Sequence, residues 1–167
     1  MLVRQMPEVI KVGRSKKDHK TLYFMSLPEL KDWPVGLRLP SKHFALFLAV
    51  DARGTPRAAF KRVGESLAKQ GIANLVVWGP DCCRSVHIPF AEDVAFKLDP
   101  DGPNESSINH DCYSGTLKEA LWMFVRCGEV QSRYKRTCRT WLAVAVGNNA
   151  WEQSIRRSLG AYTRSSI

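Results

Sequence analysis

The stretch HFALFLAVDARGTPRAAFKRVGESLAKQGIANLVVWG, residues 43–79, decides the fold of this chain. It opens with the continuous apolar run HFALFLAVD, which is typical of a strand buried on both faces of a parallel sheet. Apolar residues then recur at helical spacing, at Ala59, Phe60, Val63 and Leu67. Gly71 ends that pattern, and NLVVWG is a second buried strand. Strand, helix and strand at this length predict a βαβ unit.

The rest of the chain continues the alternation of strands and helices. DVAFKL (93–98) and a segment ending near His110 predict short strands, and TWLAVAVGN (140–148) predicts a longer one. TLKEALWMFVRC (116–127) predicts a helix that begins with the capping box Thr116–Glu119, and NAWEQSIRRSLG (149–160) predicts a last helix. This alternation predicts a three-layer Rossmann-like α/β sandwich around a mostly parallel sheet of four or five strands.

With 167 residues, the chain has the length of one domain with short additional segments at its two ends. Prolines at 7, 28, 34 and 40 break the periodicity of residues 1–42, so we expect an N-terminal arm, although TLYFMSL (21–27) is a candidate strand. The Rossmann-like domain is then predicted over residues 43–160. Residues 161–167 are left as a basic C-terminal tail.

The positive charge is concentrated at the two ends of the sequence. The net charge is +9, of which residues 1–42 carry +5, residues 126–167 carry +6, and residues 43–125 carry −2. One interpretation is a nucleic-acid surface built from both ends, with Arg133, Lys135 and Arg136 of RYKRTCR gripping phosphates. The other is a solvated basic exterior that keeps the protein soluble or meets an acidic protein partner.

The sequence predicts a cytoplasmic protein that makes no contact with a membrane. No segment approaches the roughly 20 apolar residues that cross a bilayer, and the N-terminal residues lack the apolar core of a secretory signal. The five cysteines include no CxxC pair, so we expect reduced thiols and no disulfide framework.

The predicted binding site follows from the strand ends. In an open α/β sheet, ligands bind beyond the carboxyl ends of the strands. We therefore expect a crevice for a small polar or phosphorylated ligand, lined by Asp51, Trp78, Asp81, Cys82, His110 and Asp111. The sequence contains no Walker loop, no GxGxxG and no GxSxG, so no cofactor is predicted.

The segment WGPDCCRSVH, residues 78–87, leaves several interpretations open. It is a simple turn if Gly79 ends the strand, Pro80 fixes the backbone and Asp81 caps the next helix. It is a thiol-enzyme or hydrolase site if Cys82 has a depressed pKa beside His87 or His110. A zinc site would gather Cys82 or Cys83 with His87, His110 and Cys112, but this spacing matches no standard zinc motif, and no metal is predicted.

The pair His110–Asp111 is a further candidate for acid–base chemistry. It is predicted to precede a helix N-terminus, where an anion is favoured. A histidine satisfied by local backbone groups is the alternative. Cys82, His110 and Asp111 are thus the catalytic candidates of a chain for which a non-enzymatic binding or accessory role is the leading hypothesis.

Several separated motifs resemble an uncharacterised bacterial family of small Rossmann-like domains, in which a strand runs into a WGPxC turn with a histidine shortly after. The motifs occur in the same order across residues 43–160: Trp78 to Cys82 with His87, His110–Asp111, Glu119 to Trp122, Trp141 to Ala143, Gly147–Asn148 and Trp151. The resemblance implies the fold and a bacterial origin. It implies no established activity.

Overall fold

The computed structural model describes residues 6–98 and 108–164. Its strands form one sheet: β1 (Ile10–Arg14), β2 (Thr21–Leu27), β3 (His43–Ala49), β4 (Ile72–Trp78), β5 (Asn109–Tyr113) and β6 (Cys138–Val146). The order across the sheet is β1-β2-β6-β3-β4-β5. Every neighbouring pair is parallel except β1 with β2, so the predicted mostly parallel sheet is confirmed.

Helices cover both faces of the sheet: α1 (Arg57–Gln70), α2 (Cys82–Ser85), α3 (His87–Leu98), α4 (Leu117–Trp122) and α5 (Asn149–Arg164). The turn Met123–Cys127 extends α4 as a π-helix. Buried side chains of α1 and α3 pack on one face of the sheet, and those of α4 and α5 pack on the other. These layers agree with the predicted Rossmann-like sandwich.

The sheet has six strands instead of the predicted four or five, because residues 1–42 contribute two strands to it. In β2, Leu22 and Phe24 are buried on one face, while Tyr23 and Met25 are buried on the other. β2 therefore runs inside the sheet, parallel to β6 along its whole length. Pro28, Pro34 and Pro40 fall in the connection from β2 to β3, where they interrupt no strand.

The predicted strand DVAFKL is wrong, because these residues form the last half of α3. Strand alternation would bury Val94 and Phe96 together, but Val94 is buried and Phe96 is 65% exposed. The buried residues Phe90, Ala91 and Val94 recur at helical spacing instead. The segment near His110 is a strand as predicted, although β5 continues to Tyr113.

Side chains cap the starts of α4 and α5. The capping box is confirmed, with Thr116 Oγ1 accepting from Glu119 N and Glu119 Oε2 accepting from Thr116 N. At α5, the capping side chain is Asn148, whose Oδ1 accepts from Trp151 N. This helix runs on to Arg164, through most of the predicted tail, and residues 165–167 lie outside the described residues.

Candidate functional site at the carboxyl edge

The topology creates a crevice between β3 and β6. These strands are neighbours, yet β3 leads into α1 on one face of the sheet and β6 leads into α5 on the other. Such a switch point leaves space beyond the strand ends, where open α/β sheets bind ligands. A cavity of about 520 Å³ lies there, and we call it the switch-point pocket. Its walls follow the carboxyl ends of β2, β3 and β6: Pro28 to Lys31, Val50, Asp51, Gly54 to Pro56, Ala58, Ala59, Arg62, Val146 and Gly147.

The two carboxylates of the switch-point pocket already have cationic partners. Asp51 accepts from Arg53 at both oxygens, with Nε 3.0 Å from Oδ1 and Nη2 2.9 Å from Oδ2. The guanidinium holds the pKa of the Asp51 carboxyl below its ordinary value. Glu29 pairs with Lys31 through one oxygen, with Nζ 2.6 Å from Oε2.

Arg62 is the remaining cation of this pocket. It is exposed on α1 and has no carboxylate partner within residues 6–98 and 108–164. Ala58 and Ala59, one turn earlier on α1, also line the pocket with small side chains. The Thr55 hydroxyl donates to the carbonyl oxygen of Asp51 over 2.8 Å.

A second crevice of about 600 Å³ lies at the carboxyl ends of β4 and β5. Trp78, Asp81 and Arg53 line it. The Trp78 Nε1 atom donates to the Gly115 carbonyl oxygen over 2.8 Å, and its ring meets Trp151 edge to face at 5.1 Å. Trp78 is therefore held by the protein itself, and the predicted site divides into two crevices, with Asp51 in one and Trp78 and Asp81 in the other.

The WGPDC segment forms a turn that joins the ends of β3 and β4. The Val50 amide donates to the Trp78 carbonyl, and the Ala52 amide donates to the Pro80 carbonyl, with an N–O distance of 3.0 Å in both bonds. Gly79 has a φ of +136°, and a Cβ there would lie 1.9 Å from the Val50 oxygen, so only glycine fits. The Asp81 side chain makes no capping bond to α2, so the predicted cap is wrong.

Cys82 is a buried structural thiol. Its side chain is fully buried, and its Sγ donates to the Val50 carbonyl oxygen over 3.1 Å. Burial raises the pKa of this thiol to about 11, which is the opposite of the depressed pKa that a nucleophilic thiolate requires. The structure therefore argues against Cys82 as a nucleophile and keeps it out of contact with any ligand in the crevice.

Cys83 and Cys112 form a disulfide, with their Cα atoms 5.6 Å apart. The expectation of reduced thiols is wrong for this pair, because the fold places the start of α2 directly beside β5. Cys82, Cys127 and Cys138 are free. The described residues contain no group of three or more His, Cys, Asp or Glu side chains placed to hold a metal ion.

His110 and Asp111 lie away from the carboxyl edge. They are the second and third residues of β5, which ends two residues later at Tyr113. His110 Nδ1 lies 3.0 Å from His87 Nε2, and burial together with His110 lowers the pKa of His87. Both strand residues border a separate cavity of about 410 Å³ beside the π-helical turn, so they do not join Asp51 in one site.

Sequence reasoning missed Thr55, Arg62 and the Pro28–Lys31 wall of the switch-point pocket. Arg62 lies in the second turn of α1, and its sequence position resembles that of any charged residue on the exposed face of an amphipathic helix. The Pro28–Lys31 wall comes from the segment predicted as an arm. The signal that would have found it is the apolar run TLYFMSL, interpreted as a buried strand whose carboxyl end meets the others.

No protein family, curated protein or solved structure matches this chain significantly. The resemblance to a bacterial family of Rossmann-like domains therefore stays a prediction. Among the described residues, no helix is both long enough and apolar enough to cross a bilayer.

Proposed function

We propose that this chain is a non-enzymatic binding or accessory protein that holds a small polar or phosphorylated ligand in the switch-point pocket. The observation that carries the proposal is the position of the cavity, at the carboxyl ends of strands that leave the sheet on opposite faces. Its volume of about 520 Å³ falls within the range of about 300–1,000 Å³ typical of ligand pockets.

The charges of the pocket favour an anionic ligand. Glu29 and Asp51 are each neutralised by a neighbouring cation, while Arg62 faces the pocket without a described carboxylate partner. A guanidinium binds a phosphate or carboxylate through two parallel hydrogen bonds. Arg62 therefore supplies the charge and orients the ligand, and the alanines beside it leave space for the rest of the molecule.

The polar groups of the pocket favour binding over catalysis. The Asp51 carboxylate is held by Arg53, and the Thr55 hydroxyl donates to a backbone carbonyl. A general base or nucleophile must instead be able to contact the reacting atom. The buried Cys82 thiol, with its pKa raised, supports the same assignment.

Native mass spectrometry of freshly purified protein, followed by thermal shift with a small panel, tests this proposal. The panel contains inorganic phosphate, a nucleoside monophosphate, a sugar phosphate and the dephosphorylated forms of the last two. We expect a phosphorylated compound to stabilise the protein and Arg62→Gln to weaken its binding at least tenfold, since a charged hydrogen bond contributes about 1.5–3 kcal/mol.

Lys118→Gln is the matched control, because Lys118 is also an exposed helical cation but lies on α4. The proposal is wrong if no compound co-purifies or stabilises the protein. It is equally wrong if Arg62→Gln and Lys118→Gln weaken binding to the same extent, because the pocket would then not be the site.

A further inference from the structure

The fold gathers positive charge at the edge of the sheet opposite the switch-point pocket. This edge is formed by the amino ends of the parallel strands. The end of β1 and the β1–β2 turn contribute the exposed cations Arg14, Lys16 and Lys17. Arg14 pairs with Thr21 at the start of β2, and Thr21 pairs in turn with Thr140 near the start of β6. The turn therefore lies beside the amino end of β6.

The segment that leads into β6, together with the second residue of that strand, adds a second group of exposed cations: Arg133, Lys135, Arg136 and Arg139. It packs against the start of β3, where the His43 amide donates to the Thr137 carbonyl over 3.2 Å. The rings of His43 and Tyr134 also lie 4.7 Å apart. Two cations from distant parts of the sequence complete the set, Lys42 just before β3 and Lys69 at the end of α1, just before β4.

The β1–β2 turn is fixed in place by buried charged groups. The Arg126 side chain, only 5% exposed, donates to Ser15 Oγ over 2.9 Å and pairs with Asp18. Lys20 Nζ donates to the carbonyl oxygens of Val125 and Gly128 over 2.6 and 2.8 Å. The turn is thereby tied to the π-helical segment, and its exposed lysines keep a defined place beside β6.

The nine exposed cations, which we call the basic edge, face few acids. Among the described acids near these strand ends, Asp18 pairs with Arg126, Asp111 and Glu129 border one cavity at β5, and Glu65 lines a cavity together with Lys69. The edge crosses four strand spacings of about 4.8 Å from β1 to β4, or about 19 Å in all. Phosphates of one nucleic-acid strand follow each other at about 3.4 Å along a duplex, so several fit along this edge.

We propose that the basic edge binds the phosphate backbone of a nucleic acid without reading its bases. The cations are exposed and lie near the amino ends of successive strands of the sheet, so they can make repeated phosphate contacts. Tyr134, the aromatic residue among them, already packs against His43 and Arg133 and is not presented for stacking on a base. This surface lies opposite the switch-point pocket and does not depend on the function proposed for that pocket.

Fluorescence anisotropy with a labelled 20-base-pair DNA duplex, a duplex RNA and a single strand tests the proposal. We expect binding at about 50 mM salt that falls steeply by about 200 mM, because each neutralised phosphate releases counterions. The quadruple variant Lys16→Gln, Lys17→Gln, Lys135→Gln and Arg136→Gln should flatten the slope of log K against log salt for duplex DNA by about 3.6, at about 0.9 per phosphate.

A second quadruple variant has the same change in net charge away from the basic edge: Arg57→Gln, Lys61→Gln, Lys118→Gln and Arg157→Gln, all at exposed positions. It should keep the slope of the original protein. The proposal fails if no nucleic acid binds at about 50 mM salt, or if both variants lose the same slope. Equal competition by polyglutamate, or binding to anionic vesicles alone, would assign the edge to an acidic protein or a membrane surface instead.

Discussion

The Sγ atom of Cys82 donates a hydrogen bond to the carbonyl oxygen of Val50 across 3.1 Å. The same oxygen is the atom that a side chain at Gly79 would strike. Val50 is the last residue before the loop that carries Asp51 and Arg53 into the carboxyl edge. The WGPDC turn therefore holds the β3 end against the β4 end, and the loop that lines both crevices takes its position from it.

Replacement of Gly79 by alanine should destabilise the protein strongly. Backbone strain at its φ of +136° costs about 1–3 kcal/mol for a residue with a side chain, and displacement of the Val50 carbonyl adds to that cost. Urea unfolding followed by circular dichroism measures the loss. The control is Gly54→Ala, where a Cβ meets nothing within 4 Å. Equal free energies of unfolding for the two variants would contradict the described turn.

Thiol labelling should separate the free cysteines by exposure. Cys127 is exposed, while burial raises the pKa of Cys82 to about 11 and that of Cys138 to about 12. We expect a mild alkylating agent at neutral pH to modify Cys127 first and the other two only after unfolding. Peptide mass spectrometry identifies the labelled site. Rapid modification of Cys82 in the folded protein would restore the thiol-enzyme hypothesis.

The disulfide between Cys83 and Cys112 should stabilise the fold. The two residues are 29 apart in sequence, and closing a loop of this length raises the free energy of the unfolded chain by about 3–4 kcal/mol at 25 °C, because it lowers the entropy of that chain. We expect the double replacement of both cysteines by serine to lower the free energy of unfolding by up to this amount. Addition of a reducing agent should then destabilise the original protein but leave the double variant unchanged.

Stability should fall as the pH decreases through about 6.5, partly because of His87. Burial and the neighbouring His110 lower the pKa of His87 in the folded protein, while the unfolded chain titrates near the ordinary value of about 6.5. Between these two values the unfolded state binds more protons, so the free energy of unfolding decreases as the pH falls through 6.5. The contribution of His87 to this free energy becomes constant again below its lower, folded pKa.

Urea unfolding of His87→Gln at several pH values tests this assignment. Glutamine removes the titrating group and keeps both a donor and an acceptor for a hydrogen bond with His110, so the slope should become shallower. Burial also lowers the pKa of His43, which accounts for a slope that remains. His19→Asn, on the exposed β1–β2 turn, is the control and should keep the original slope. An unchanged slope in His87→Gln would refute the role of this buried imidazole.

The βαβ unit over residues 43–79 was predictable because its pattern is local. Continuous apolar runs and a helical stripe depend only on residues close in sequence, and the same holds for the capping box at Thr116. The place of β2 depends instead on its pairing with β6, more than 100 residues later in the chain. Prolines on both sides of the apolar run TLYFMSL favoured an arm, although the run itself was a candidate strand.

The candidate site was predictable only in its general location. Strand ends could be found from sequence, so Asp51, Trp78 and Asp81 do lie at the carboxyl edge. His110 was misplaced because β5 runs three residues beyond it, which moves its side chain away from that edge. The contact of Arg62 with the pocket depends on how α1 lies across the sheet, and the contact of Cys82 with Val50 depends on the turn geometry.

The strand order has a consequence for co-translational folding. β2 emerges early, but its parallel partner β6 is among the last strands to be synthesised. During translation, at about 5–20 residues per second, β3, α1 and β4 can assemble while β2 still lacks that neighbour. For several seconds, the β1–β2 hairpin therefore exposes the apolar side chains of β2 that the finished sheet buries. During this interval, a chaperone or another unfolded chain can bind them.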